Sequence, residues 1–443
     1  MNKIIEKKQS NRQNNTWVSA SAGSGKTSIL IDRIIKLLIE GVLPSEILCL
    51  TFTKAAAIEM QERVYRKIGQ WVNVSDEELA EEIKKYNINS ENIDLKKLRV
   101  LSSVILEDQS SVGIQTIHSF CENILKKFPI EAGIYPNFSI LNSNEINNVI
   151  LEARNLAFKK YKHNKQFSNS IRNIVIKNDE KYFNDLLKEL FSKKISLYKI
   201  WSEKDELEKI YSYICKLFNL SKNQTRQQFL KQACIIDEEY KLKLLDLSKI
   251  LSEGTAKDIV IGRNIKNWIQ KAEIREVAWD DYKLNFLTKR NTIYKKIISE
   301  KILMKYSHIV SVLDLESNRV FETQQKLILL DLKEKIMSSL TIFKYILLEY
   351  QELKLKRNVL DYDDLVYLTH KLFQKAHISP WVLYKLDQKI KHFLIDEAQD
   401  TSAEQWSLLY ILVTEIFSDN SGTEKGRSIF VVGDEKQAIF SFQ

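Results

Sequence analysis

Two kinds of apolar pattern divide the chain. Up to about residue 136 and again beyond 380, short apolar runs end in a turn or pass into a helical periodicity: "TWVSA" (16–20), "ILCLTFT" (47–53), "VGIQTI" (112–117), "HFLIDE" (392–397) and "SIFVVGD" (428–434). Runs of this length bounded by turn residues predict strands buried on both faces, as in a parallel sheet inside an α/β layer. Between them, from Asn137 to Ser379, there is no proline and only Gly254 and Gly262. Segments such as "NDLLKELFSKKISLYKIW" and "TQQKLILLDLKEKIMSSLTIFKYILLEYQELKLK" place apolar residues three and four apart, a period that predicts helix when breakers are missing. The pattern therefore predicts an α/β fold whose parallel sheet is split by a large α-helical insertion, with segments 1–139, 140–355 and 356–443. Residues 73–110, most acidic at "SDEELAEE", read as a hydrophilic connector with short helices.

Composition narrows the function classes. A length of 443 residues suits two or three domains, and 44% hydrophobic content is enough for a real core. No apolar run reaches the roughly 18 residues of a membrane span, and "MNKIIEKKQSNRQNN" lacks the apolar centre of a signal peptide, so a soluble cytoplasmic protein is expected. Cys49, Cys121, Cys215 and Cys234 lie far apart with no C-x-x-C spacing, which argues against disulfides and cysteine metal sites. The net charge of +9, from 67 basic and 58 acidic residues, fits a polyanionic partner and equally fits a lysine-rich solvated surface. Charge alone decides nothing here.

The stretch "TWVSASAGSGKTSIL" (16–30) does more. A phosphate loop needs small residues that let successive backbone N–H groups turn inward, a lysine for the β- and γ-phosphates, a hydroxyl for Mg²⁺, and a helix starting at the loop. Ala20, Ser21, Ala22, Gly23, Ser24 and Gly25 supply the loop, with alanine at the first position where the general pattern has glycine. Lys26 and Thr27 follow, and Ile31, Ile34, Ile35 and Leu38 make one apolar face of the next helix, which Gly41 is placed to end. ATP with Mg²⁺ is the expected cofactor. The second half of such a site is an acidic pair at a strand end, and "HFLIDEAQD" provides it: His392 to Ile395 as strand, Asp396 to hold the metal, Glu397 to polarise the attacking water. Acidic residues at that point also suit the capped start of a helix.

Six blocks, "ASAGSGKT", "LCLTFTKAAAIEMQERV", "IQTIHSFC", "LDYDDLV", "LIDEAQDTSAEQW" and "VVGDEKQAIFSFQ", occur in this order. Together they resemble the N-terminal motor half of UvrD/Rep/RecB-type helicases of superfamily one. "IQTIHSFCENILKKFPIEAG" and "GDEKQAIFSFQ" are most similar to the AddA group, the helicase-nuclease subunits of AddAB double-strand-break repair enzymes. The resemblance implies a P-loop NTPase fold of RecA-like type with an accessory domain inserted in it. It implies that Gln13 reads adenine, for which an amide that both donates and accepts is suited. Phe52 and Thr53, then Thr116, His118 and Ser119, would meet single-stranded DNA at strand ends. Gln437 would sense the γ-phosphate while Phe440 and Phe442 stack on bases. Related proteins mostly carry tyrosine at the first of these two aromatic places, so Phe440 keeps the stacking face and loses the hydroxyl.

The implied activity is ATP-driven 3′ to 5′ translocation along one DNA strand in double-strand-break repair and recombination, with an AddB-like subunit or a separate C-terminal half as protein partner. The helical insertion would touch duplex DNA through phosphates. The chain ends at Gln443, directly after the sixth block, and the resemblance leaves the second motor domain, its arginine fingers and the nuclease domain to sequence not present here. Arginine fingers contribute roughly 10³ to 10⁵ in rate in related phosphoryl transfers, so slow turnover by this polypeptide alone is expected. A second expectation is a DNA- and nucleotide-binding module without a motor. An unrelated P-loop kinase would leave "TFTKAAAIEM", "QTIHSF" and "GDEKQAIF" unexplained.

Overall fold

The computed structural model describes residues 15–19, 25–86, 88, 93–108, 112–175, 179–201, 206–375, 381–382, 385, 390–418 and 426–434. The chain divides into two units, one of residues up to Val149 together with those from Glu352, the other of Ile150–Gln351. The first unit begins with β1 (Thr16–Ser19), α1 (Lys26–Ile39), β2 (Ile47–Thr51), α2 (Lys54–Asn73), α3 (Asp76–Lys84), α4 (Leu95–Glu107), β3 (Gly113–Thr116), α5 (Ile117–Lys127), the single turn α6 (Pro129–Ala132) and β4 (Ser139–Ile140). The second holds most of α7 (Ser143–Lys160), then α8 (Lys165–Val175), α9 (Glu180–Ser192), α10 (Lys194–Trp201), α11 (Glu206–Leu217), α12 (Arg226–Ala233), α13 (Glu238–Leu251), α14 (Ala256–Gln270), α15 (Trp279–Lys283), α16 (Glu300–Lys305) and most of α17 (Ile309–Arg357). The first unit is completed by β5 (Val359–Leu360), α18 (Tyr362–Gln374), β6 (His392–Ile395), α19 (Ala403–Ser418) and β7 (Ser428–Gly433).

All five apolar runs are strands of one sheet, ordered β1-β7-β6-β2-β3 and parallel throughout. β4 and β5 form a separate parallel pair. Side chains alternate across the pleat, so each strand feeds two cores. Ile47, Cys49, Leu394, Phe430 and Val432 pack with the helices α1 to α4. Leu48, Leu50, Phe393, Ile395 and Val431 pack with α5, α18 and α19. Both faces of the sheet are covered, which is why its strands read as unbroken apolar runs rather than as alternation. Because every strand is parallel, Ser19, Thr51, Thr116, Ile395 and Gly433 end at one edge, where ligands of such sheets bind.

Helix ends obey local chemistry. Gly25 precedes α1 at φ +82°, and Gly41 follows it at φ +85°, left-handed conformations that only glycine adopts without cost. α2 buries the stripe Ala57, Met60, Val64, Ile68 and Trp71, a core face as its spacing predicts. The 73–110 region differs from the connector expected of it. Ser75 caps α3 through a reciprocal pair with Glu78, Asp94 caps α4, and Leu79, Ile83, Leu98 and Ile105 are buried in the same core as α1 and α2. The acidic surface residues mask two short amphipathic stripes whose burial offsets the cost of ordering them.

The second unit has its own core, from Leu230 through Trp268, Trp279, Tyr282 and Phe286 to Leu327. Within it Trp268 stacks on Tyr282 with ring centroids 4.0 Å apart. The fully buried Glu316 carboxylate is matched by the Arg319 fork, whose Nε and Nη2 each donate over 2.7 Å, and by the hydroxyls of Tyr240 and Tyr282. A buried charge needs such full satisfaction. Among the described residues no helix is long and apolar enough to cross a membrane.

Candidate nucleotide and nucleic-acid site

At the carboxyl edge of the sheet the first residue of α1 is a buried cation. The Lys26 side chain is 8% exposed, its Nζ has no hydrogen-bond partner among the described residues, and the nearest carboxylate, Asp434 Oδ2, is 3.9 Å away. An ammonium buried without a hydrogen bond is costly unless an anion completes it. The first turn of α1 holds no acidic residue and no side chain caps it, so its backbone N–H groups and dipole favour the same negative ligand. Thr27, half-buried, comes next. Ala20, Ser21, Ala22, Gly23 and Ser24, with Gln13, lie outside the described residues, whereas Gly25 lies at the loop-to-helix junction in the left-handed conformation.

Asp396 and Glu397 follow β6 directly. The Asp396 N–H donates to Leu50 O over 2.9 Å, extending the β6–β2 ladder by one bond, which fixes the carboxylate at the strand end. Burial and the neighbouring Glu397 charge push the Asp396 carboxyl up to about 6, opposed by the Glu397 N–H and the Lys26 ammonium. Lys26 and Asp396 thus share one electrostatic site. A carboxylate destabilised in this way is relieved by a divalent cation. Among the described residues no group of three or more His, Cys, Asp or Glu is arranged to hold a metal alone; Mg²⁺ characteristically uses one or two carboxylates with phosphate and water oxygens. The residues present fit a Mg²⁺–triphosphate.

The acidic pair does not cap a long helix. Asp396 Oδ1 accepts from the Glu397 N–H at 3.0 Å, and a short 3₁₀ turn, Ala398–Asp400, follows without a side-chain cap. Glu397 itself has φ +50° and ψ 47°, a strained conformation for a residue with a side chain, of the kind found at functional sites.

One residue that motif reasoning does not single out ties this turn together. Gln399 Nε2 donates to Glu397 Oε2 and, at 3.4 Å, to Asp400 Oδ2, while its Oε1 accepts from the Asp434 N–H at 2.9 Å. A single amide therefore links the acidic strand end of β6 to the end of β7. Gly433 makes the approach possible, since a Cβ there would stand 3.1 Å from Ala398 Cβ and 3.2 Å from Gln399 Oε1. Burial and the Glu397 charge hold the Asp400 carboxyl above its usual range, and its Oδ1 is buried without a hydrogen-bond partner among the described residues. No periodicity marks Gln399; its place inside "DEAQD" is the one signal it carries. Gln437, Phe440 and Phe442 lie outside the described residues.

The remaining candidates stand at the ends of β2 and β3. Thr53 N-caps α2, its Oγ1 accepting from the Ala56 N–H at 3.1 Å, and its carbonyl accepts from Thr51 Oγ1 at 3.0 Å. Phe52 beside it is half-buried. Thr116 N-caps α5 through the Ser119 N–H at 3.1 Å, and the two hydroxyls lie 2.9 Å apart. His118 meets the Tyr362 ring edge-on with centroids 5.5 Å apart. Burial is the largest influence on its imidazole and lowers its affinity for a proton, with Asp363 opposing and Lys54 reinforcing. The starts of α2, α5 and α18 therefore meet around one histidine. In "LDYDDLV", Asp361 and Asp364 form a capping box for α18, and the buried Lys354 ammonium is paired with both.

Comparison with known proteins agrees with this geometry. The family described as the UvrD/REP helicase N-terminal domain matches residues 1–443. The chain is 26% identical over 481 residues to an ATP-dependent helicase/nuclease of Lactobacillus helveticus, the AddA-type chain of that enzyme, covering 99% of this chain and 36% of that protein. It is 28% identical over 461 residues to the protein of the same name in Ligilactobacillus salivarius, covering 97% and 34%. With the one from Listeria monocytogenes identity is 27% over 463 residues, again covering 97% and 34%. The chain spans about a third of the length of these relatives. A match of this extent is decisive: the chain belongs to the UvrD/REP helicase N-terminal domain family.

Proposed function

We propose that this chain is the N-terminal motor half of an ATP-dependent 3′ to 5′ DNA helicase acting in double-strand-break repair. The observation that carries the reading is the buried Lys26 ammonium, without a hydrogen bond, at the carboxyl edge of a parallel sheet beside Asp396, Asp400 and Asp434. The sheet order and its two covered faces support a RecA-like P-loop domain formed by 1–139 and 356–443, with 140–355 as the inserted accessory domain. The names of the similar proteins support the helicase assignment.

Each residue has a chemical part. Lys26 and the first N–H groups of α1 hold the β- and γ-phosphates, and Gln13 reads the adenine edge. Thr27 and Asp396 hold Mg²⁺, which when bound neutralises charge on the phosphates. Glu397 accepts a proton from the attacking water, and Gln399 keeps its carboxylate aimed. Gln437 senses the γ-phosphate, and the Gln399–Asp434 bond carries that state towards Phe440 and Phe442. Single-stranded DNA runs across Phe52, Thr53, Thr116, His118 and Ser119. The other motor domain comes from further sequence or a partner chain, with an AddB-like protein beside it, in the cytoplasm.

The test is ATP turnover by the purified chain with and without single-stranded DNA, together with ATP-analogue binding. Saturable binding that disappears in Lys26→Ala is the expected result. Absence of nucleotide binding by a folded chain rejects the proposal.

A further inference from the structure

The helical unit contains a cleft that neither the ATPase nor the strand-end residues use. It lies between α8 and α17, closed on one side by Tyr211 of α11 and by the 222–226 segment ahead of α12, and encloses about 570 Å³. That volume is within the range of small-ligand sites. Where two helices pack, apolar stripes are expected. Here α8 offers Asn169, Ser170 and Asn173, and α17 offers Lys333, Ser338 and Thr341.

Lys333 is the unusual member. Its side chain lies on the cleft floor at 7% exposure, and its Nζ donates to Tyr211 Oη and Gln224 O, each at 3.3 Å, with the Tyr211 ring centroid 5.1 Å away. All of these partners are neutral. No carboxylate is ion-paired to it among the described residues, although Glu334 also lines the cleft and accepts from Asn173 Nδ2 at 3.0 Å. Tyr211 is positioned from behind by donating its hydroxyl to Lys222 O.

Two further features add positive potential. Lys222 and Arg226 line the same cleft, the Arg226 Nε donating to Asp331 Oδ2 at 3.2 Å. Thr225 N-caps α12 with Gln228, so the first turn of an eight-residue helix opens onto the cleft with its leading N–H groups unused by the cap. A burial that costs free energy for a cation is understandable where an anion joins it.

We propose that this cleft binds the phosphoryl end of a small phosphate-bearing molecule of mononucleotide size, with Lys333 as counter-ion and the start of α12 as N–H donor. A nucleic-acid track is disfavoured because it presents a row of exposed cations and stacking rings, whereas here one ammonium lies at the floor of a bounded cavity. The site is independent of the helicase reading.

The experiment is calorimetric titration of the purified chain carrying Lys26→Ala, which removes the phosphate-loop cation. Inorganic phosphate, adenosine 5′-monophosphate and a single-stranded 12-mer are the three probes. One-to-one binding of phosphate, of the monophosphate or of both is expected; phosphate alone identifies the free anion, and tighter monophosphate binding identifies an ester. Lys333→Met should weaken it at least about tenfold and Lys333→Arg should restore it, with circular dichroism melting confirming that both variants fold. Arg226→Gln, at the rim, gives a second variant with a smaller loss in the same direction. Unchanged binding in Lys333→Met, binding only above about 10 mM, or binding of the 12-mer alone overturns the proposal.

Discussion

Lys26 Nζ stands 3.9 Å from Asp434 Oδ2, too far for a hydrogen bond, although both side chains are buried. Such a pair has the charge of a salt bridge and an open donor shell, so the lysine is held in place and left available. Replacing Lys26 with alanine or methionine is expected to weaken ATP-analogue binding at least about tenfold through the loss of charge-assisted bonds to phosphate. Fluorescence titration with a labelled analogue measures it, and circular dichroism shows whether the fold survives. Retained affinity in a folded Lys26→Ala protein removes the phosphate-loop assignment.

Asp396 makes the site sensitive to pH. Its carboxyl is raised from 3.8 to about 6, so the folded protein holds this proton more tightly than the unfolded chain does. In the absence of ligand that contribution to stability is complete below about pH 4 and is lost as pH rises through about 6. The loss is on the order of 3 kcal/mol. Asp396→Asn should melt higher than the parent at pH 7.5 and equal to it near pH 4, while losing Mg²⁺-dependent nucleotide binding. In the parent, Mg²⁺-dependent binding should decline as pH falls below 6. Scanning calorimetry at the two pH values tests the first statement.

Glu397 and Gln399 separate binding from turnover. Glu397→Gln keeps the left-handed turn and puts an amide in place of the carboxylate, and is expected to leave nucleotide affinity within about threefold while hydrolysis falls by about 10² or more. Gln399→Ala frees Glu397 and leaves the Asp434 N–H without its 2.9 Å acceptor. It should lower single-turnover hydrolysis with little change in affinity, and Gln399→Glu should not rescue it, because a carboxylate cannot donate to Glu397. Single-turnover assays in the complete enzyme make the comparison. Equal rates for parent and Gln399→Ala would exclude a positioning role.

Lys354 holds two buried carboxylates. It lies at 5% exposure with Asp361 at 1% and Asp364 at 8%, and both aspartates are committed to the cap of α18. Lys354→Met removes the counter-charge and leaves the pair uncompensated, a change that typically costs about 3–5 kcal/mol. Urea denaturation followed by tryptophan fluorescence should show the midpoint falling, and most of the loss should be recovered in Lys354→Met combined with Asp361→Asn and Asp364→Asn.

The sheet is legible in the sequence because its strands are buried on both faces, so continuous apolar runs such as "HFLI" carry their own signal, and β6 spans His392–Ile395 as they predict. α1 and α2 are legible because glycine and a helical apolar stripe bound them. The α3 and α4 region is not: Leu79, Ile83, Leu98 and Ile105 supply only two or three apolar positions per helix, too few to outweigh the charged residues between them. Lys26, Asp396 and Glu397 are recognisable as chemistry at strand ends. Gln399 is hidden, since its importance arises from a contact with Asp434, distant in sequence, that only the folded sheet creates.

Thr116 offers a way to tell a structural hydroxyl from one that touches DNA. Its Oγ1 already accepts the Ser119 N–H as the N-cap of α5, so Thr116→Ala should cost about 1 kcal/mol in stability whatever its other role. Thr116→Ser keeps the cap and the hydroxyl and should restore stability. If the hydroxyl also meets a phosphate of single-stranded DNA, Thr116→Ala weakens binding of an oligonucleotide by a few fold with unchanged nucleotide affinity, and Thr116→Ser restores that too. His118→Asn beside it should likewise lower DNA affinity without the stability loss of a missing cap. Anisotropy titration of a labelled oligonucleotide, run beside thermal melts, separates the two effects. A Thr116→Ala protein that melts lower yet binds DNA as the parent does would confine this residue to capping α5.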